Sequence, residues 1–181
     1  KNLKITGLSL NSKDIKKGFI FFAIKGSKFN GENYIDEAIK KGAKLIICSN
    51  KCKFKRKKIK MIKTNKVRDF LSEITSNFYK LKPKNIIAVT GTNGKTSVAD
   101  FFRQIFLINK TQVASIGTLG IKKNSRTKSS TLTSPDIISL YKELSIMKKN
   151  KINNVIIEAS SHGLHQGRLN GLNIKCGIFT N

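Results

Sequence analysis

Apolar positions along this chain recur with two periods. Gly18-Phe19-Ile20-Phe21-Phe22-Ala23-Ile24 is a continuous apolar run bounded by Gly18 and Gly26, and Ala43 to Cys48 is a second. Runs this short between turn residues predict buried strands. Lys60 to Lys63 predicts a shorter strand. Between these, Tyr34, Ile35, Ala38 and Ile39 show helical spacing within Asn33 to Lys41, and Gly42 follows as a helix stop. Val67, Phe70, Leu71, Ile74, Phe78 and Leu81 repeat at i, i+3, i+4 and i+7, predicting a helix that Pro83 ends.

The same alternation resumes after Asn85. Strands are predicted at Ile86 to Val89, Gln112 to Ile116, Asn154 to Glu158 and Ile174 to Thr180. Helices are predicted at Val98 to Ile108 and at Asp136 to Lys149, where Ile137, Ile138, Leu140, Tyr141, Leu144 and Met147 form one stripe and Pro135 precedes the first turn. Gly117 to Ser134 is polar and reads as a long loop or hairpin. Strands alternating with helices imply an α/β fold with mostly parallel sheets. The low-periodicity stretch Leu81 to Lys84 divides it into a small unit, residues 1–84, and a second unit, residues 85–181. No internal repeat is present.

Composition narrows the function classes. The formal net charge is +26 over 181 residues, which read alone points to nucleic acid or another anionic surface. Nearly all of it is Lys, accompanied by many Ile and Asn, the residues of A+T-rich codons. The densest run, Lys51 to Lys60, lacks interleaved aromatic rings for base stacking. The charge is therefore taken as favouring anionic ligands, with no specific nucleic acid as partner. A basic nucleic-acid-binding module stays as an alternative, distinguished by whether DNA binding survives physiological salt. No run of 18 apolar residues exists, so no membrane span is expected, and no secretory signal is expected either. Cys48, Cys52 and Cys176 make an odd count; Cys48 and Cys176 look like small core residues, and a reducing, cytoplasmic setting is expected.

The chemistry gathers around Gly91-Thr92-Asn93-Gly94-Lys95-Thr96-Ser97. An apolar strand feeds a glycine-bracketed turn that opens into a helix. Such a turn aims backbone N–H groups and the helix N-terminus at phosphate. Lys95 would reach the outer phosphates and the Thr96 hydroxyl would sit on Mg²⁺. The usual early glycine of a phosphate loop is replaced here by Val89. Glu158 ends the next apolar strand, where a carboxylate could share the Mg²⁺ or simply face solvent. Ala159 to Arg168 is dense in hydrogen-bonding groups, and the Arg168 fork suits phosphate or carboxylate. His162 and His165 as a metal pair, and Ser160 with His162 as nucleophile and base, lack the further partners those sites need. Thr131 to Asp136 offers either an anion or sugar grip or a plain helix cap.

These motifs together resemble the Mur ligases, the ATP-dependent amide-forming enzymes of peptidoglycan synthesis. Gly91 to Thr96 matches the family's phosphate loop, early glycine missing included. Leu132-Thr133-Ser134-Pro135-Asp136 resembles its Leu-Thr-Thr-Pro-Asp segment. Glu158-Ala159-Ser160-Ser161-His162-Gly163-Leu164 with Gln166 and Arg168, and then Phe179-Thr180-Asn181, resemble further family stretches. Near the start, Leu10-Asn11-Ser12-Lys13 and Gly18 to Gly26 resemble its Asp-Ser-Arg and Gly-Asp-Leu-Phe-Val-Ala segments, with Asn11 and Lys13 for Asp and Arg.

The resemblance covers essentially the whole chain and is strongest to the members that add the third residue to UDP-N-acetylmuramoyl-L-alanyl-D-glutamate. It implies an ADP-forming acid–amino-acid ligase, with residues 1–84 binding the UDP end of the substrate through Leu10, Ser12 and Ser27. Residues 85–181 would begin the ATP-binding central domain, with Gly91 to Ser97 holding ATP and Thr96 and Glu158 holding Mg²⁺. Lys95 and Glu158 would be catalytic. Thr133, Ser134, Ser160, Gln166 and Arg168 would grip the UDP-muramoyl-dipeptide, and the incoming amino acid would be diaminopimelate or lysine. The family continues into an Asp-His-Leu segment, a carbamylated lysine and a third domain, so a longer protein is expected, with this part inactive alone. Another member of the superfamily, of the folylpolyglutamate synthetase kind, is the nearest alternative.

Overall fold

The computed structural model describes residues 3–26, 29–55, 59–124, 126–128 and 136–181. The chain divides into two compact units, Lys1–Ile74 and Thr75–Asn181.

The first unit is a parallel four-stranded sheet in the order β1 (Gly7–Ser9), β2 (Phe19–Ala23), β3 (Leu45–Cys48), β4 (Lys60–Lys63). Phe21 and Ala23 on β2 and Ile46 and Cys48 on β3 alternate onto one face, where they bury against Ile35 and Ala38. Those two belong to α1 (Ile35–Lys40), which a 3₁₀ turn over Gly31–Tyr34 leads into. The helix is therefore shorter at its start than its apolar spacing predicts: Asn30 caps the 3₁₀ turn by accepting from the Glu32 N–H. Gly42 ends it at φ +96°, the left-handed geometry a helix stop needs. β1 escapes the sequence pattern because three residues, one of them glycine, carry no period. The helix α2 (Val67–Phe78) stops short of Leu81, which is half-exposed.

The second unit holds a six-stranded sheet. Its strands are β5 (Asn85–Gly91), β6 (Val113–Gly117), β7 (Gly120–Lys123), β8 (Arg126–Lys128), β9 (Asn154–Glu158) and β10 (Ile174–Thr180), ordered β10-β5-β9-β6-β7-β8. The first four in that order are mutually parallel; β7 and β8 add antiparallel, so the polar stretch after Gly117 begins as a hairpin meander. Its helices are α3 (Lys95–Ile108), α4 (Ile137–Lys149) and α5 (Ser161–His165).

Strand parity decides which helix each side chain meets. Val155 and Ile157 of β9 pack with Leu140, Leu144 and Met147 of α4. Ile156 points the other way and packs with Val89 and Ala99, the latter on α3. Glu158 is two residues beyond Ile156 and shares its face. The carboxylate therefore emerges on the α3 side. Among the described residues β10 pairs with β5 alone, at the sheet's edge, and Cys176 on it is exposed, not the core residue its apolar neighbours suggest. Cys48 and Cys52 are buried. Burial, then the neighbouring Cys52, pushes the Cys48 thiol up to about 12, so it stays protonated and inert.

Tyr141 of α4 is fully buried, and its hydroxyl donates to the Asn170 carbonyl at 2.6 Å. This bond ties the helix to the segment after α5 that carries Arg168. Tyr141→Phe keeps the ring and removes the bond, so stability should fall by about 1 kcal/mol in urea denaturation. An unchanged midpoint would show that the bond is no stronger than the water it replaces.

Candidate nucleotide and metal site

The loop between β5 and α3 begins where β5 meets β10. Gly91 has φ +136°, and a Cβ there would lie 2.1 Å from the Thr180 carbonyl oxygen. Only glycine lets the two strands close at this point. Thr180 holds the turn from the same side: its hydroxyl lies 3.1 Å from the Thr90 carbonyl and 2.5 Å from that of Asn93. The Asn93 N–H donates to the Asn181 carbonyl at 2.6 Å. Gly94, at φ +80°, then turns the chain into α3 as its N-cap.

A helix's first N–H groups have no partners inside the helix, and a glycine N-cap has no side chain to offer one. The first turn also lacks an acidic residue. Its partial positive charge is thus left for an anion. The helix begins at Lys95, three residues before its apolar stripe, because the Lys-Thr-Ser turn faces outward from the core. Lys95 Nζ donates to the carbonyls of Gly91 at 2.6 Å and Thr92 at 2.9 Å. The ammonium thus caps the loop it belongs to. Thr92, Asn93 and Ser97 are exposed along it.

β9 lies between β5 and β6, with Glu158 level with Val89. That brings Glu158 to the mouth of the loop: Thr96 Oγ1 donates to Glu158 Oε2 at 2.9 Å. Thr118, at the tip of the β6–β7 hairpin, donates to the same oxygen at 3.0 Å. Glu158 is 9% exposed, and among the described residues no cation pairs with it. A carboxylate buried against hydroxyls alone is costly unless a positive charge joins it. Mg²⁺ fits: the donors are all oxygen, and one carboxylate, one hydroxyl and the ligand's phosphates make up the kind of set it takes. Nearby Asp100 cannot be that partner's second carboxylate without cost. Hydrogen bonds from Arg103 and then Gln104 hold its carboxyl below the usual range, and Lys122 sits 3.4 Å away.

Two clefts flank Glu158. One is lined by Leu140, Ser160, Gly163 and Arg168; the other by Thr96, Asp100, Leu119 and Lys122. Ser160 caps α5, its hydroxyl accepting from the Gly163 N–H at 3.1 Å. Gln166 stands between neighbours: its Oε1 accepts from Arg168 Nε and Nη2 at 3.1 and 2.8 Å, and its Nε2 lies 2.7 Å from His162 Nε2. Among the described residues no three metal-ligating His, Cys, Asp or Glu side chains converge, and His162 instead joins this polar brace.

In the first unit, Leu10 follows β1 and is half-buried, while Ser12 is buried and donates to Glu37 Oε2 at 2.6 Å. That bond, with a second from Lys41, lowers the Glu37 carboxyl. The Ser12 proton is therefore committed, leaving its lone pairs to accept. Ser27, Thr133 and Ser134 lie outside the described residues. Sequence reasoning passed over Thr118, Thr180 and the backbone of Asn181 as parts of this site. The available signal for the first was Gly117-Thr118-Leu119-Gly120, two residues between glycines, a tight-hairpin pattern.

A strand, a glycine-bracketed turn and a helix facing a buried strand-end acid resemble the arrangement with which α/β domains bind nucleotides. Residues 89–181 match the Mur ligase middle domain, and residues 4–79 match the Mur ligase family, catalytic domain. The chain belongs to the Mur ligase family. It is 36% identical over 179 residues to the UDP-N-acetylmuramoyl-L-alanyl-D-glutamate--2,6-diaminopimelate ligase of Brucella melitensis, covering 99% of this chain and 37% of that protein. It is 40% identical over 184 residues to the protein of the same name from Rickettsia prowazekii, covering 99% and 38%. Among solved structures, a UDP-N-acetylmuramoyl-L-alanyl-D-glutamate--2,6-diaminopimelate ligase superposes with a TM-score of 0.82 at 28% identity, covering 98% of this chain and 36% of that one. The MurF ligase from Thermotoga maritima in complex with ADP gives 0.56 at 25% identity, covering 89% and 33%. The chain thus spans a little over a third of the length of the curated relatives it matches. No helix among the described residues is long and apolar enough to cross a membrane.

Proposed function

We propose that the protein to which this chain belongs is the ATP-dependent ligase that joins diaminopimelate to UDP-N-acetylmuramoyl-L-alanyl-D-glutamate. The observation that carries the reading is the buried Glu158 carboxylate, without a cation among the described residues, 2.9 Å from the Thr96 hydroxyl at the mouth of an anion-binding turn. Diaminopimelate is preferred over lysine because the relatives from Brucella melitensis and Rickettsia prowazekii carry it in their names. Residues 1–84 bind the uridine end, with Leu10, Ser12 and Ser27 beside it. Residues 85–181 begin the ATP-binding domain.

The reaction class is phosphoryl transfer from ATP to the dipeptide's terminal carboxylate, followed by attack of the amino acid's amine on the acyl phosphate. Bringing two anions together is the barrier the site must lower. The backbone from Gly91 to Ser97 and the N-terminus of α3 surround the phosphates. Lys95 leaves the Gly91 and Thr92 carbonyls and places its charge on the outer phosphates. Thr96 and Glu158 would hold Mg²⁺, which would supply neutralisation of charge on the transferring group. Ser160, Gln166 and Arg168, with Thr133 and Ser134, orient the muramoyl dipeptide. Arg168, braced by Gln166, presents its guanidinium at a set angle.

The test is ADP release by the full-length protein given ATP, Mg²⁺ and UDP-N-acetylmuramoyl-L-alanyl-D-glutamate with diaminopimelate or lysine. Turnover is expected with diaminopimelate and to depend on all components. Failure to consume the dipeptide in an ATP-dependent manner excludes the reading; turnover with lysine alone reassigns the amino acid.

A further inference from the structure

We propose that Thr118 is a positioning residue for Glu158, and that Gly117-Thr118 forms the socket in which that carboxylate is aimed at the metal. The inference rests on the ligase reading above and adds to it a part drawn from outside the phosphate loop.

Two hydroxyls donate to the same oxygen, Glu158 Oε2: Thr96 at 2.9 Å and Thr118 at 3.0 Å. Each hydroxyl has one proton to give and lone pairs to accept with. Thr96 belongs to α3, and its lone pairs face a second duty on the metal. Thr118 comes from a different element, and among the described residues it is the one donor to Glu158 outside the nucleotide loop.

The hairpin is shaped to deliver it. Gly117 pairs with Gly120, so Thr118 and Leu119 form a two-residue turn, and Gly120 takes the positive φ of +88°. On its other edge β6 pairs with β9, Ile116 level with Ile157, which sets Gly117 beside Glu158. A Cβ on Gly117 would lie 2.1 Å from Glu158 Oε1 and 2.2 Å from its carboxyl carbon. The carboxylate occupies the space a side chain would take. Gly117 has no positive φ, so its conformation does not demand glycine; the acid's position does. Thr118 itself is exposed, so its hydroxyl is not there to fill the core. Partners that orient a metal ligand commonly change metal affinity by 10- to 100-fold when removed.

The experiment uses the full-length protein and Mn²⁺ as the probe, its affinity for the ADP complex read from the electron paramagnetic resonance of free Mn²⁺. Thr118→Val keeps the shape and removes the donor. It should weaken Mn²⁺ by about tenfold while leaving thermal midpoint and ADP affinity in EDTA unchanged. Thr118→Ser should return Mn²⁺ affinity to within about twofold of the parent. Gly117→Ala should reproduce the loss by displacing the carboxylate. Wild-type Mn²⁺ affinity in Thr118→Val overturns the proposal, as does an equal loss of ADP affinity in EDTA, which would mark Thr118 as a support of the fold. If the unsubstituted protein binds no Mn²⁺–ADP, the ligase reading falls and takes this inference with it. If it binds and Thr118→Val matches it, only the socket is wrong.

Discussion

Replacing Lys95 with methionine should lower kcat of the full-length ligase by about 10³-fold or more, within the range seen when a charge or donor that stabilises a transferring group is removed. The side chain keeps its length and apolar stem and loses its charge. Among the described residues the ammonium bonds to the Gly91 and Thr92 carbonyls, at 2.6 and 2.9 Å, which water can reach. Their loss should cost little stability, so the thermal midpoint should hold while ADP release collapses. Lys95→Arg is no rescue: a planar fork cannot sit where a point charge fits between two carbonyls of its own turn. Activity within tenfold of the parent would remove Lys95 from the chemistry and leave the backbone of the turn as the phosphate ligand.

Much of this was legible in the chain because it is local. The β5 run, its two glycines and the α3 stripe are contiguous, so strand, turn and helix follow from adjacent residues. Glu158 was legible for a related reason: an acid closing an apolar strand stands at the carboxyl end of a sheet, where α/β folds bind ligands. The place of β9 between β5 and β6 was not legible, since strand order is settled by packing between distant segments. That order, with the parity of Ile156 and Glu158, is what turns a strand-end acid into a neighbour of Thr96. α5 was missed because five residues with a single apolar side chain, Leu164, cannot show a helical period. Thr118 reaches Glu158 across forty residues of sequence, and a hydroxyl at a hairpin tip carries no mark of the partner it finds. Cys176 was misjudged since an apolar run reads alike in a central strand and in one exposed at an edge.

Gly91 and Gly94 look equivalent in the motif, yet the structure separates them. Gly91→Ala should destabilise by about 3 kcal/mol or more, combining a strained backbone with overpacking. Its φ of +136° is unfavourable for any side chain, and the new Cβ would meet the Thr180 carbonyl oxygen at 2.1 Å and its hydroxyl at 2.3 Å. Neither can yield freely: the Thr180 hydroxyl lies against the Thr90 and Asn93 carbonyls, and β10 pairs with β5 through that point. Relief would pry the end of β10 from β5 and open the turn that Thr180 holds, so nucleotide affinity should fall with stability. Gly94 has φ +80°, and the nearest atom to its Cβ would be Thr180 Cβ at 3.7 Å, an ordinary contact. Gly94→Ala therefore meets only the left-handed backbone cost, about 1–2 kcal/mol. Denaturant titrations of both variants, with ADP affinity measured alongside, decide the matter. A Gly94→Ala loss equal to or larger than that of Gly91→Ala would mean that the close approach of β10 does not constrain the loop.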